Sequence, residues 1–167
     1  TLYGRIPKIG SEIEKTILNK LFNYTKLGAL IKTSGSPIIY RFAGGRYFKV
    51  VTNYSTGSSA ERTIYFANSK IADAVGCILS SSLSFWFYQI FSDNLNWKTY
   101  EIEAKANIRI TSGESTYNVD LFKEYKIVRS KAIIDEIDDY ICPLYGLTQE
   151  ETDFIKNYEL EFRLAGE

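Results

Sequence analysis

The 167-residue chain contains no histidine and no methionine, and only two cysteines and three prolines. Without histidine there can be no Ser-His-Asp triad, no Cys-His pair and no imidazole-held metal. Cys77 and Cys142 lie far apart with no Cys-x-x-Cys spacing. A thiolate zinc cluster is therefore excluded, and two buried free thiols in a reducing compartment are expected. No signal peptide is visible, and the longest apolar run, "CILSSSLSFWFYQIF", is shorter than a membrane span and carries three consecutive serines. These absences lead us to expect a cytoplasmic chain with no membrane partner. The missing methionine, absent even from the first position, leads us to expect an excised piece of a longer protein.

An excess of charge of either sign is also missing. Lys plus Arg and Asp plus Glu number 20 each. The distribution is uneven, with ten basic and three acidic residues in positions 1–62 and six basic and twelve acidic in 120–167. Attraction to a polyanion would therefore come from the first third of the chain. Hydrophobic content of 45% is ordinary for one folded domain, but thirteen tyrosines are many. Tyrosine suits either a wet binding surface or the polar ends of a packed core.

Periodicity places the elements. Ser11 with Glu14 forms a capping box before Ile13, Ile17, Leu18 and Leu21, which predicts a helix over about 12–24. "PIIYRFAGGRYFKVVTN" reads as two strands around Gly44-Gly45, with Ile39, Arg41 and Ala43 on one face and Ile38, Tyr40 and Phe42 on the other. "YSTGSSAER" is a polar loop and "TIYFAN" a further strand. Asn68 and Ser69 cap what reads as one long core helix ending at Phe91, with a stripe of Ile71, Val75, Ile78, Leu79, Leu83 and Trp86. The alternating "TYEIEAKANIRI" predicts a half-buried strand. A helix over "RSKAIIDEIDDYICPLYG" should end near Pro143 or Gly146, and Thr148 with Glu151 caps another. In the tail, Ile133, Ile134, Ile137, Tyr140 and Ile141 should face inward, continued by Leu147, Phe154 and Ile155. Asp135, Asp138, Asp139, Glu150 and Glu151 should face outward. The expected fold is α+β: short hairpins and a small mixed sheet on a long central helix, with a helical tail over 128–167 of a single domain spanning 1–167.

Three surfaces could carry chemistry. Glu103-Ala104-Lys105 is an E-x-K on the expected strand, and with Asp93 it could hold Mg²⁺ for phosphodiester hydrolysis. Glu124-Tyr125-Lys126 repeats the pattern, and any solvated strand face resembles it. The glycine-rich stretches match neither G-x-G-x-x-G nor a P-loop and read as turns. The third surface is basic and aromatic: Arg41, Arg46, Tyr47, Lys49, Asn53, Tyr54, Ser55 and Arg62 around the hairpin and its loop, and Asn94, Asn96, Trp97 and Lys98 after the long helix. Arg and Lys suit phosphates, and Asn or Arg can read a base edge through two hydrogen bonds, although a solvated hairpin looks similar. Trp97 is expected to be a packed anchor for its turn rather than a displayed ring.

Two segments resemble a known family. "YFANSKIADAVGCILSSSLSFWFYQIFSDNLNWKTYEIE" is similar to a pattern in the C-terminal halves of adenine-N6 DNA methyltransferases. The tail "IDEIDDYICPLYGLTQEETDFIKNYELEFR" resembles the close of BREX-type and related methylases. Ile134-Asp135, Tyr145-Gly146-Leu147, Glu150-Glu151, Phe154-Ile155-Lys156-Asn157-Tyr158 and Arg163 carry the match. The resemblance spans about Tyr65 to Arg163 and more loosely the hairpin. It implies a TaqI-like target recognition domain of a restriction-modification or phage-defence methylase, non-catalytic alone, with double-stranded DNA as partner. S-adenosylmethionine and the Asn-Pro-Pro-aromatic loop would belong to an upstream methyltransferase domain of the parent, since the three prolines here are never adjacent. The expected DNA-binding residues are Arg41, Arg46, Tyr47, Lys49, Asn53, Tyr54, Arg62, Asn94, Asn96 and Lys98, with no cofactor or metal in this fragment. The alternatives are a Mg²⁺-dependent nuclease built on Asp93, Glu103 and Lys105, and a protein-interaction module served by the acidic helices.

Overall fold

Ser11 starts the first helix by accepting the Glu14 N–H, while the Glu14 carboxylate accepts the Ser11 N–H at 3.1 Å. That reciprocal cap opens α1 (Glu12–Leu21), which buries Ile17, Leu18 and Leu21. In the computed structural model, residues 4–43, 51–92, 96–103 and 127–161 are described. A 3-10 turn (Leu27–Leu30) leads to β1 (Ser36–Arg41), β2 (Val51–Thr52) and β3 (Glu61–Phe66). Then come α2 (Ser69–Ser80), α3 (Ser82–Phe91), α4 (Thr99–Glu103), α5 (Ile127–Leu144) and α6 (Gln149–Asn157). The class is α+β.

Among the described residues three strands form an antiparallel sheet in the order β2-β1-β3, where the sequence led us to expect a mixed one. Ile38 lies opposite Ile64, and Tyr40 lies opposite both Val51 and Arg62. Opposed residues share a face, so Ile38, Tyr40, Val51, Ile64 and Phe66 form the inner face, and all five are buried. Helix α2 packs on this sheet and also touches α3 and α5, so it lies between the strands and the helical tail. Gly35 enters β1 at φ +137°, and a Cβ there would lie 2.2 Å from the Phe66 carbonyl oxygen, so only glycine fits.

The long central helix is in fact two. Ser81 adopts an extended conformation between α2 and α3, and their axes bend by 64°. Its hydroxyl accepts from the Ser84 N–H at 3.0 Å, as a helix cap does. The free Ser82 and Leu83 N–H groups point at the carboxylate of Asp138 on α5, at 3.0 and 3.4 Å. Asp138 is fully buried, against the outward position expected for it. Glu151 is also buried, holding the Thr148 N–H at 2.7 Å and the Lys20 ammonium of α1 at 2.6 Å. Tyr140, expected inside, is 38% exposed. For the two carboxylates a polar partner on another element decides the side, which a single helix pattern does not encode.

A second correction concerns Thr99–Glu103, which is helical rather than the start of a strand. The Glu101 carboxylate reaches back to the Lys98 N–H at 2.9 Å and nucleates the turn, and Ile102 is buried beneath it. The rest of the expected strand, with Lys105, lies outside the described residues. Helix α5 ends as expected, Pro143 in its last turn and Gly146 at φ +73°, where the Leu147 N–H returns to the Cys142 carbonyl at 3.1 Å. Among the described residues no single helix is long and apolar enough to cross a membrane. The bent α2–α3 pair would pass on composition, but it is the buried centre of the fold.

Candidate nucleic-acid interface

Trp97 is the anchor of the turn after α3. It is 1% exposed and packs edge-on against Tyr40 at 5.6 Å and Tyr88 at 6.2 Å between ring centroids. Its backbone N–H donates to the Phe42 carbonyl at 2.7 Å. Beside it Asn96 pairs with Ala43 as an isolated antiparallel bridge. The hydroxyls of Tyr40 and Thr99 lie 2.7 Å apart. The turn therefore docks on the end of β1, and the two polar segments singled out in the sequence adjoin one another.

Six of the ten expected contact residues can be placed. Arg41, Asn53, Tyr54, Arg62 and Asn96 are exposed, and Lys98 is half-buried with its ammonium 6.0 Å from the Tyr100 ring centroid. Arg46, Tyr47, Lys49 and Asn94 lie outside the described residues. The strand register adds a condition. Arg41 lies opposite Glu61, whereas Arg62 lies opposite Tyr40, so the two arginines leave opposite faces of the sheet. A flat face cannot display both. The sheet's end can, together with Asn96 and the loop 53–60.

Neither arginine forms an ion pair among the described residues. The Arg41 Nε donates to the Ala43 carbonyl at 3.1 Å. The Arg62 Nη1 donates to the Glu61 carbonyl at 2.9 Å, and its guanidinium carbon stands 4.0 Å above the Phe42 ring centroid. The Glu61 carboxylate beside them is occupied elsewhere. Glu61 accepts the Ser55 hydroxyl at 2.6 Å, the Thr56 N–H at 2.8 Å and the Thr56 hydroxyl. Those hydrogen bonds hold its carboxyl well down, at about 2.

Glu61 thus ties the loop 53–60 to β3, a role not visible in the sequence because the residue reads as an ordinary strand charge. The tie is present above the ordinary carboxyl range near pH 4.5 and is lost as pH falls through about 2. In Glu61→Ala the Thr56 amide should exchange with solvent about tenfold faster, the equivalent of one hydrogen bond. The melting temperature should barely move, because the carboxylate is exposed. Unchanged exchange at Thr56 would show that something else orders the loop.

The N-terminal segment holds the turn from below, also without a sequence signal. Arg5 donates to the Phe91 carbonyl at 3.0 Å, the Glu101 carboxylate at 3.4 Å and the Tyr100 hydroxyl at 2.7 Å. The Lys8 ammonium donates to the Ser92 carbonyl at 2.5 Å, and its backbone N–H to the Ile90 carbonyl at 2.8 Å. Two cations thus close the C-terminal end of α3, where its carbonyls and dipole favour them. Glu101 then links Arg5 to the Lys98 N–H in the turn.

The competing chemistry finds less. Glu103 sits at the end of helix α4, so the strand that would align an E-x-K is not formed there. Asp93 and Lys105 lie outside the described residues. Among the described residues no cluster of three His, Cys, Asp or Glu side chains could hold a metal. Burial pushes the Cys77 thiol up to about 11 and raises Cys142 further, so neither offers a thiolate at neutral pH. No family model, curated protein or solved structure matches the chain.

Proposed function

We propose that this chain is a non-catalytic DNA recognition domain, cytoplasmic, acting for an adenine-N6 DNA methyltransferase of a restriction-modification or phage-defence system. Double-stranded DNA is its partner. In the parent protein an upstream domain would hold S-adenosylmethionine and perform the transfer. The observation that carries the reading is the junction of β1 with the 96–98 turn, made by the Ala43–Asn96 bridge and the Trp97–Phe42 hydrogen bond. It gathers Arg41, Arg62, Asn96 and Lys98 at one end of the sheet, and the two arginines there are bound to backbone carbonyls rather than carboxylates. The resemblance of the tail to methylase C-termini supplies the parent activity.

Binding by the domain alone should be weak and strongly dependent on salt, because net charge is zero and few phosphates can be neutralised. In a fluorescence titration with a short duplex, Arg41→Ala should weaken binding to every sequence alike. It should reduce the slope of log K against log salt by about one. Nanomolar binding unaffected by salt would contradict the proposal, as would an Arg41→Ala slope equal to that of the wild type. Cleavage in Mg²⁺ that disappears in Glu103→Ala would favour the nuclease alternative.

A further inference from the structure

We infer that Arg62, laid flat on Phe42, is a specificity-determining side chain that reads a guanine edge in the major groove of the bound duplex. This rests on the duplex-recognition reading above. A surface arginine normally samples many rotamers, and holding it costs side-chain entropy when a ligand arrives. Here much of that cost is met before binding. The guanidinium lies 4.0 Å over the Phe42 ring centroid, and Nη1 is held by the Glu61 carbonyl at 2.9 Å. The ring beneath is itself fixed, since the Phe42 N–H donates to the Ala60 carbonyl at 2.9 Å and the Phe42 carbonyl accepts from Trp97. Arg62 also stands opposite Tyr40, whose hydroxyl meets Thr99, so it lies where the hairpin and the turn join.

The remaining N–H groups of the guanidinium form a planar fork whose orientation the stack has set. Guanine presents two acceptors, O6 and N7, in one plane on the major-groove edge, and a fixed fork matches them with two hydrogen bonds. A phosphate can also take a fork, but a contact of that kind needs only charge and reach, which Arg41 has without an aromatic seat. The stacked arginine is therefore assigned to the base and Arg41 to the backbone.

The test starts from a random-sequence duplex pool, from which the domain selects bound sites at low salt. A guanine should be fixed at one position of the selected site. Replacing it with 7-deazaguanine, which lacks the N7 acceptor, should weaken binding about tenfold or more. Arg62→Lys keeps the charge and loses the fork, so it should bind the guanine and 7-deazaguanine sites alike with an unchanged salt slope. Phe42→Leu should lose part of the same preference, and a thermal melt checks that it is folded. The 7-deazaguanine arm needs no variant and stands if both substitutions unfold the domain. The inference is overturned if 7-deazaguanine has no effect. It is equally overturned if Arg62→Lys leaves the preference intact, or if Arg62→Ala weakens all duplexes equally with a salt slope lower by about one. Those outcomes make Arg62 a phosphate contact and leave the duplex reading standing. A pool from which nothing is retained at low salt contradicts the duplex reading itself.

Discussion

A chain ending after Tyr140 should lose most of its stability. The cut removes Ile141, Cys142, Tyr145, Leu147 and Ile155, all buried in the one core. It also removes Glu151, whose carboxylate ties α6 to Lys20 of α1, and the Leu144 carbonyl that accepts the Tyr24 hydroxyl at 2.9 Å. Losing a single large core side chain costs about 2–5 kcal/mol, and a domain of this size has about 5–15 kcal/mol in all. The expected loss is ~5 kcal/mol or more, read as a collapsed or uncooperative denaturant transition. A truncated chain that melts like the full one but no longer binds DNA would make the tail a functional surface instead of a structural one.

The second large effect concerns Asp138. Burial pushes its carboxyl up to about 6, with hydrogen bonds from Ser82 and Leu83 opposing the rise and the charge of Asp135 adding to it. The folded protein therefore holds this proton more tightly than the unfolded chain, whose ordinary value is 3.8. The contribution to stability is full below about pH 4 and is lost as pH rises through about 6. The difference of roughly two units corresponds to about 3 kcal/mol across that window. Carboxylates held low, such as Glu61, act in the opposite sense and at lower pH. Glu151 behaves similarly: burial raises its carboxyl, but Lys20 and Thr148 bring it below the ordinary value. Asp138→Asn should flatten the profile between pH 4 and 6.5 and cost little at pH 8, since an amide oxygen can still accept both N–H groups. Asp138→Ala leaves the Ser82 and Leu83 N–H groups buried without an acceptor, and should lose about 3 kcal/mol or more at every pH. Denaturant melts across pH check both. A wild-type slope persisting in Asp138→Asn would assign the titration to another group.

What could be read from the sequence was local. Ser11 with Glu14 and Thr148 with Glu151 form the capping boxes their spacing implies, because a cap is completed within four residues. Asn68 caps α2 for the same reason, and the hairpin pairing and the anchoring of Trp97 follow from alternation and ring size. The misreadings come from partners distant in sequence. The apolar stripe across Ser80–Ser82 continues through a 64° bend, because Asp138, some sixty residues later, receives the N–H groups that the bend exposes. A signal was present: the serine triplet favours a cap, and Asp138 falls four residues after Ile134 and three before Ile141, on the stripe itself. At 99–103 the alternation of Tyr100, Ile102 and the glutamates suits a strand. Arg5 and the Lys98 N–H bury Glu101 and make a helix of it. At the candidate site the residue types were legible, but the division of Arg41 and Arg62 between opposite faces needed the strand register.

The central claim is that the end of the sheet, together with the 96–98 turn, meets duplex DNA. Amide chemical-shift mapping of the domain, titrated with a short duplex at about 50 mM salt, tests it most directly. The account predicts saturable shifts at Arg41, Phe42, Ala43, the 53–60 loop, Arg62 and Asn96–Lys98, reversed by raising the salt, with α5 and α6 unmoved. Shifts confined to α5 and α6, or none at any duplex concentration, would contradict it.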